Sequence, residues 1–342
     1  MDFDWTNYGF DRVNGQMEKN GCELARITQV QRERYEAVCR QGTVWARLRK
    51  GTFQQPGAVY PTVGDFVYVR YNPSGDSMVE EVLSRRSFFE RRDSWAARGR
   101  QAVAANFDYV FIVTSMNDEY RTRRLERYLS QARASGAQPV VILTKKDIGR
   151  QAAIGEAEAA AGGVPVHAVS AKTGEGLEQL TGYLQKGATI VLMGSSGVGK
   201  STLVNALAGE ELMNTGEIRE DDDKGRHTTT HRQMLMMPCG TAIIDTPGMR
   251  ELGLWDSMEG VKDTFEDIEA LAEDCRFRDC THTREPGCAI RTALGAGMLD
   301  AGRVRSWLQL RQEADATVRR AQKQAKMKQI AQITRQRKKA GR

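Results

Sequence analysis

Gly194-Ser195-Ser196-Gly197-Val198-Gly199-Lys200-Ser201 is the stretch on which the reading of this chain turns. It follows directly on an apolar run, Thr189-Ile190-Val191-Leu192-Met193, and Thr202 to Ala208 then reads as a helix. Strand, glycine loop and helix in that order make the P-loop pattern. The glycines let the backbone turn and aim N–H groups at phosphate, and the helix N-terminus adds partial positive charge. The run from Gly194 through Thr202 is therefore expected to hold a nucleotide. Lys200 is expected to reach the β- and γ-phosphates and Ser201 to ligate Mg2+. The bland alternative is a glycine-rich turn between strand and helix with no ligand.

Upstream lies a series of alternating strands and helices. Tyr109 to Val113 is an apolar run, Arg121 to Arg133 reads as a helix, and Pro139 to Leu143 is a second apolar run. Ala152 to Ala161 reads as a helix, Val164 to Val169 as a strand and Leu177 to Leu184 as a helix. This is the grammar of a doubly wound α/β domain with buried parallel strands. Downstream, Ile243-Ile244-Asp245-Thr246-Pro247-Gly248 is an apolar strand ending in Asp, with Gly three residues later. Asp245 can hold Mg2+ through water, and the Gly248 N–H can contact a γ-phosphate.

Two further strand ends bear on the base. Thr144-Lys145-Lys146-Asp147 closes the strand at Val141. A carboxylate at Asp147 can accept from the N1–H and amino group of guanine, a donor pair that adenine lacks, and Lys145 would lie along the base plane. A site built on such a pair rejects its analogue strongly. Ser170-Ala171-Lys172 follows the next strand and can present backbone N–H to the guanine oxygen. Between the P-loop helix and the Asp245 strand lies Gly225-Arg226-His227-Thr228-Thr229-Thr230, preceded by Glu220 to Asp223. This is the expected place of switch I, whose Thr closes on Mg2+ and the γ-phosphate. Spacing favours Thr229, with Thr228 next; a merely polar loop is the alternative. Met249, after Gly248, cannot orient water by hydrogen bonding, so slow intrinsic hydrolysis is expected.

The rest of the chain reads differently. Residues 1–20 are polar and read as a flexible arm. Leu24 to Val30, Tyr35 to Cys39, Thr43 to Leu48 and Asp65 to Val69 alternate as short strands broken by Gly and Pro, which suggests a small barrel of the OB type. Scattered Arg, Lys and aromatic residues suit either RNA binding or a solvated face. Residues 85–105 are Arg- and Ala-rich and read as a linker or short helix. Cys275, Cys280, His282 and Cys288 make a Cys3His set, the ligand set of a closed structural Zn2+ site, with reduced cysteines in a small core as the alternative. Cys22, Cys39 and Cys239 are isolated and read as structural. Val304, Trp307 and Leu308 form a helical apolar stripe, and residues 303–340 contain no Gly or Pro.

The chain has 342 residues and a net charge of +6. Ten of its 50 Lys and Arg, and none of its 44 acids, lie in 318–342, so residues 1–317 carry −4. Such a basic extension points to nucleic acid or an anionic surface, or to a solvated tail. With 40% hydrophobic and 27% charged residues the composition is that of a soluble globular protein. No apolar run approaches the length of a membrane span. The start, Met1-Asp2-Phe3-Asp4-Trp5, lacks a signal-peptide h-region. A cytoplasmic protein is expected, without a membrane partner. Nothing signals oligomerisation, and a monomer is expected.

The motif set resembles that of the translation-factor-related GTPases, but the order differs. In the ordinary member the P-loop comes first. Here the guanine motifs at 144–147 and 170–172 precede it, so the domain looks circularly permuted. With a front barrel and a Cys/His cluster behind, the chain closely resembles the circularly permuted ribosome-biogenesis GTPases of bacteria, the RsgA (YjeQ) family, over about residues 22–300. Thr144 departs from the family's more frequent Asn. The resemblance implies a multidomain chain: an arm at 1–20, an OB-like RNA-binding barrel at 21–84, a linker at 85–105, and an α/β permuted GTPase domain at 106–255. An α-helical zinc module at 256–317 and a basic helical extension at 318–342 complete it. It implies a GTPase that binds GTP and GDP, acts on the small (30S) ribosomal subunit and its rRNA in late maturation, and holds one structural Zn2+ beside the Mg2+ of GTP. It makes His227 a candidate to position the attacking water. The rival expectation is an RNA-binding assembly or checkpoint factor with GTP as a mainly structural ligand. An RNA-modifying GTPase has no additional catalytic constellation to support it.

Overall fold

The structure, a computed structural model, describes residues 4–31, 34–49, 51, 53, 58–92, 100–117, 120–214, 232–245, 258–316, 319 and 327. The expected switch I with His227, Thr228 and Thr229, the Gly248–Met249 pair, and nearly all of the basic extension lie outside these residues. The chain divides into two units, one of 1–128 with 135–252 and one of 129–134 with 253–342.

The first unit opens with β1 (Glu18–Lys19), β2 (Cys22–Val30), β3 (Tyr35–Cys39), β4 (Gly42–Leu48), β5 (Phe66–Arg70) and β6 (Ser77–Val82). Pairing runs β2–β3–β4–β6–β5 and returns from β5 to β2, so five strands close a barrel. Period-two alternation drives Ala25, Ile27, Ala37, Cys39, Ala46, Val67, Val69 and Val79 into its interior. Closure leaves no free strand edge within the ring.

Two stretches differ from their sequence expectation. Residues 4–13 are not a flexible arm: they form two 3-10 turns, Trp5–Tyr8 and Phe10–Arg12. Phe10 is buried edge-on between Trp5 and Phe66, with ring centroids 5.0 and 5.6 Å away. Polar composition hid one aromatic anchor. Residues 85–105 are not a linker or short helix but contain a hairpin of β7 (Phe88–Arg92) and β8 (Arg100–Ala105). Phe89 stacks on Phe107 at 4.9 Å, and Ala104 and Ala105 are fully buried. Gly64, at φ +89°, approaches so closely that a Cβ there would stand 2.0 Å from the Ala105 carbonyl oxygen. Ala-rich strands need such backbone proximity, which no local pattern reveals.

Next come β9 (Tyr109–Ser115), α1 (Thr122–Ala134), β10 (Gln138–Thr144), α2 (Ala152–Ala161), β11 (Val166–Ala168), a 3-10 turn at Leu177–Tyr183, β12 (Thr189–Met193), α3 (Lys200–Ala208), β13 (Arg232–Met236) and β14 (Ala242–Asp245). Their sheet order is β11-β10-β9-β12-β14-β13, parallel except for β13. The chain thus passes from edge strand β11 to central strand β12, skipping β10 and β9. This is the connection through which the permuted order runs. Val113, Val140, Ile142, Ile190, Leu192 and Ile243 fill the core under α3.

β13 also pairs with β2, so the sheet continues into the barrel. Beside this junction Arg26 is 1% exposed. It donates to the Tyr8 carbonyl at 2.7 Å, the Asn106 carbonyl at 3.0 Å, Thr189 Oγ1 at 2.9 Å and the Gly64 carbonyl at 3.4 Å, with Phe66 against its face. Burial pulls its guanidinium down to about 10, so it stays charged at neutral pH.

The second unit contains α4 (Met258–Thr264), α5 (Glu266–Glu273), α6 (Ala289–Gly295) and α7 (301–316), together with the last six residues of α1. Val261, Phe265, Ile268, Ile290, Val304, Trp307 and Leu310 form its core. Trp307 is fully buried and donates from Nε1 to Glu269 at 2.8 Å.

Replacing Arg26 by Met keeps most of the volume but leaves the Tyr8 and Asn106 carbonyls and the Thr189 hydroxyl without its donors, while the Gly64 carbonyl keeps the Asn106 amide. We expect a loss of about 3 kcal/mol or more, read as a lower urea midpoint.

Candidate functional site

In a parallel sheet the loops at the carboxyl ends of the strands meet at one edge, and ligands bind where the strand order reverses. Met193 lies opposite Ile112, and Thr144 opposite Ser115. Val191 lies opposite Ile244, one residue before Asp245. The 194–202 loop, the Thr144–Asp147 segment, the 170–172 turn and Asp245 therefore emerge at the same edge. The four sequence motifs are brought together.

Gly194 opens the loop at φ +154°, where a Cβ would stand 2.2 Å from the Val113 carbonyl oxygen, so no side chain fits. Val198 is buried and pins the loop to the core, while Ser196 and Gly197 are exposed. Lys200 is the first residue of α3 and folds back on its own loop, donating to the carbonyls of Gly194 at 3.0 Å and Ser195 at 2.6 Å. Ser201 and Thr202 follow in the first turn, at the positive end of the helix. The Ser195 hydroxyl has two neighbours that the motif reading missed: Arg124 Nη1 at 3.0 Å and Tyr128 OH at 3.4 Å.

Thr144 is 2% exposed, and its hydroxyl donates to the Val198 carbonyl at 2.5 Å, and more weakly to that of Thr114 at 3.3 Å. The residue that departs from Asn thus ties the base segment directly to the 194–202 loop. Lys145 adopts a left-handed backbone at φ +61°, which turns the chain sharply before Asp147. Ser170 is fully buried and donates to Asp147 Oδ1 at 2.8 Å. The Lys146 N–H bonds the Val169 carbonyl at 3.1 Å, and the Lys146 ammonium pairs with Glu175 at 2.7 Å. Asp147 itself faces solvent. These contacts join the two segments to one another, and Glu175, just after the 170–172 turn, carried no signal of its own in the sequence.

In the second unit Cys275, Cys280, His282 and Cys288 converge, their ligand atoms all within 4.8 Å of one another. His282 Nδ1 lies 3.5 Å from Cys275 Sγ and 3.6 Å from Cys288 Sγ, and those two sulfurs are 3.9 Å apart. A tetrahedral ion with metal–sulfur bonds of about 2.3 Å and a metal–nitrogen bond of about 2.0 Å needs edges of roughly 3.5–3.8 Å, so the set fits a metal. Burial pushes the Cys275 thiol up, but the N–H groups of Ala289 and Ile290 and the neighbouring cysteines outweigh it and leave it below the usual thiol value. Burial and the other two cysteines push Cys280 to about 11, the mutual repulsion a shared cation would relieve. Burial, then Arg311, lowers His282, which favours the neutral ring a metal needs. Glu285 accepts from the Thr281 hydroxyl and N–H and the N–H groups of Thr283 and Arg284; the Thr281 hydroxyl, then its own and the Arg284 N–H, hold its carboxyl at about 2. It shapes the loop carrying Cys280 and His282.

Thr144→Val keeps shape but removes the hydroxyl that joins base segment and loop, leaving the Val198 carbonyl without it. Affinity for guanine nucleotides is expected to fall about tenfold, with Thr144→Asn or Ser retaining more, measured by titration with a fluorescent nucleotide.

Comparison with known proteins agrees with this geometry. The family model described as RsgA GTPase matches residues 82–255. A model described as ABC transporter matches 177–338, less than half the chain, a span that includes the 194–202 loop. Small ribosomal subunit biogenesis GTPase RsgA 1 of Listeria monocytogenes is 45% identical over 291 residues, covering 84% of this chain and 82% of that protein. The protein named small ribosomal subunit biogenesis GTPase RsgA of Opitutus terrae is 47% identical, covering 77% and 75%. The crystal structure of YjeQ from Thermotoga maritima matches with a TM-score of 0.60 at 25% identity, over 85% of this chain and 97% of that one. The structure of YloQ, described as a circularly permuted GTPase, matches at 0.57 and 23% identity over 88% and 98%, a likeness of fold alone. The chain belongs to the RsgA GTPase family: it is a GTP-hydrolysing enzyme whose P-loop domain is circularly permuted behind an N-terminal barrel.

Proposed function

We propose that this GTPase binds the small (30S) ribosomal subunit and assists its late maturation, hydrolysing GTP to GDP and phosphate when the subunit stimulates it. The observation that carries the reading is the meeting of Lys200, Asp147, Ser170 and Asp245 at one sheet edge in a chain whose relatives are named for this task. Asp147 reads guanine, Lys145 flanks the base, and the 170–172 turn offers backbone N–H to its oxygen. The loop N–H groups cradle the phosphates. Lys200 leaves the carbonyls of Gly194 and Ser195 for the β- and γ-phosphates. Ser201 and Asp245, with Thr229 from switch I, are oxygen ligands of the type Mg2+ takes, and that ion would neutralise charge on the phosphates. The Gly248 N–H meets the γ-phosphate, and His227 positions the attacking water once the subunit orders switch I.

The Cys3His set holds one Zn2+, closed and structural, and staples a small module. The barrel, this module and the basic extension grip rRNA, and GTP sets the binding-competent state. The protein acts as a cytoplasmic monomer without a membrane partner. Among the described residues no helix is long and apolar enough to cross a membrane.

Hydrolysis by the purified chain, alone and with small or large subunits, tests the reading. Strong stimulation by small subunits only is expected, and Lys200→Ala should abolish turnover and subunit release. Tight GTP binding without stimulation would instead favour an RNA-binding assembly factor with a structural nucleotide. Metal analysis should find one zinc per chain, lost in Cys288→Ser. Glu285→Gln should keep the ion but hold it about tenfold more weakly against a chelator.

A further inference from the structure

Arg121, just before α1, and Arg123 and Arg124 in its first turn are exposed to solvent, with no acid in that turn. A helix N-terminus is positive and disfavours cations, so these residues do not serve the helix. Arg124 donates from Nη1 to Ser195 Oγ at 3.0 Å. Tyr128, four residues on and so on the same face, stands 3.4 Å from that hydroxyl. Ser195 is thus held twice, through its carbonyl by Lys200 and through its hydroxyl by α1. The Lys200 contact must break when that ammonium turns to the phosphates, whereas the Arg124 contact has no reason to. Ser196 and Gly197, exposed beside Ser195, form the outer lip of the loop.

We propose that Arg124 is a nucleotide-positioning residue that anchors the lip of the phosphate loop through Ser195 and favours GTP over GDP with the charge it brings to the γ-phosphate end. This rests on the reading of 194–202 as the GTP-binding loop. A guanidinium has five N–H donors in a planar fork, and Ser195 takes one of Arg124's. Such a fork matches the oxygens of a phosphate, and cationic groups held at a transferring phosphoryl group act where its charge lies. GDP lacks that group, so the preference follows from the chemistry of the ligand rather than from any change in the base site. Lysine keeps the charge but not the fork, so it replaces Arg124 only in part.

The test titrates full-length wild type, Arg124→Ala, Arg124→Lys and Ser195→Ala with a non-hydrolysable GTP analogue and with GDP, at low and high salt, and measures KM and kcat for GTP. We expect Arg124→Ala to weaken the GTP analogue on the order of three- to tenfold and GDP less than about twofold. KM should rise more than kcat falls, the difference should shrink at high salt, and Arg124→Lys should recover part of it. Ser195→Ala should change in the same direction. Equal losses for both nucleotides, or none for either, would overturn the proposal and leave the GTPase reading intact. A wild-type chain that bound neither nucleotide would overturn both.

Discussion

β12 is hydrogen-bonded in parallel between β9 and β14, and the nucleotide end of the molecule depends on that pairing. It sets the 194–202 loop at the level where β10 delivers Thr144 and β14 delivers Asp245. It also brings the Val113 carbonyl so near Gly194 that only a residue without a side chain can begin the loop. Register at the centre of the sheet therefore becomes geometry at the site, without long-range adjustment of the loops.

Permutation leaves this arrangement intact, because a parallel sheet constrains which strand ends are neighbours and not the order in which the chain visits them. The long passage from β11 to β12 joins what would otherwise be two ends. Contacts that do not follow the chain tie the 144–147 segment to the phosphate loop, Thr144 to Val198, fifty-four residues apart, and to the 170–172 turn, Ser170 to Asp147, twenty-three apart.

The barrel is joined to this sheet rather than tethered to it. β2 pairs with β13, and Arg26 spans carbonyls and a hydroxyl from the N-terminal turns, the segment before β5, the turn between β8 and β9, and β12. A buried charge satisfied mostly by neutral acceptors is tolerated only where several are aimed at it. That requirement couples the packing of 4–13, the close approach at Gly64 and the start of β12.

Much was legible from residues alone where local rules suffice. Ile190 to Met193 is continuously apolar, as a strand buried on both faces requires. The glycine spacing at 194–199 is what a loop curled around phosphate requires, and three Cys and a His within fourteen residues can converge without help from the rest of the fold. Asp147 and Lys145 stand out in the sequence because discrimination between bases would dictate residue type at such positions. The hairpin at 88–105 and the anchoring of 4–13 were not, because each is decided by a distant partner, Phe107 in one case and Phe66 in the other. Thr144's bond to Val198, Glu175's to Lys146 and Arg124's to Ser195 were likewise invisible. The sequence determined which chemistry the chain can perform, since that resides in residue types and short spacings. Only the tertiary structure decided which side chains hold that chemistry in place, since it alone sets the distance between residues far apart in the chain.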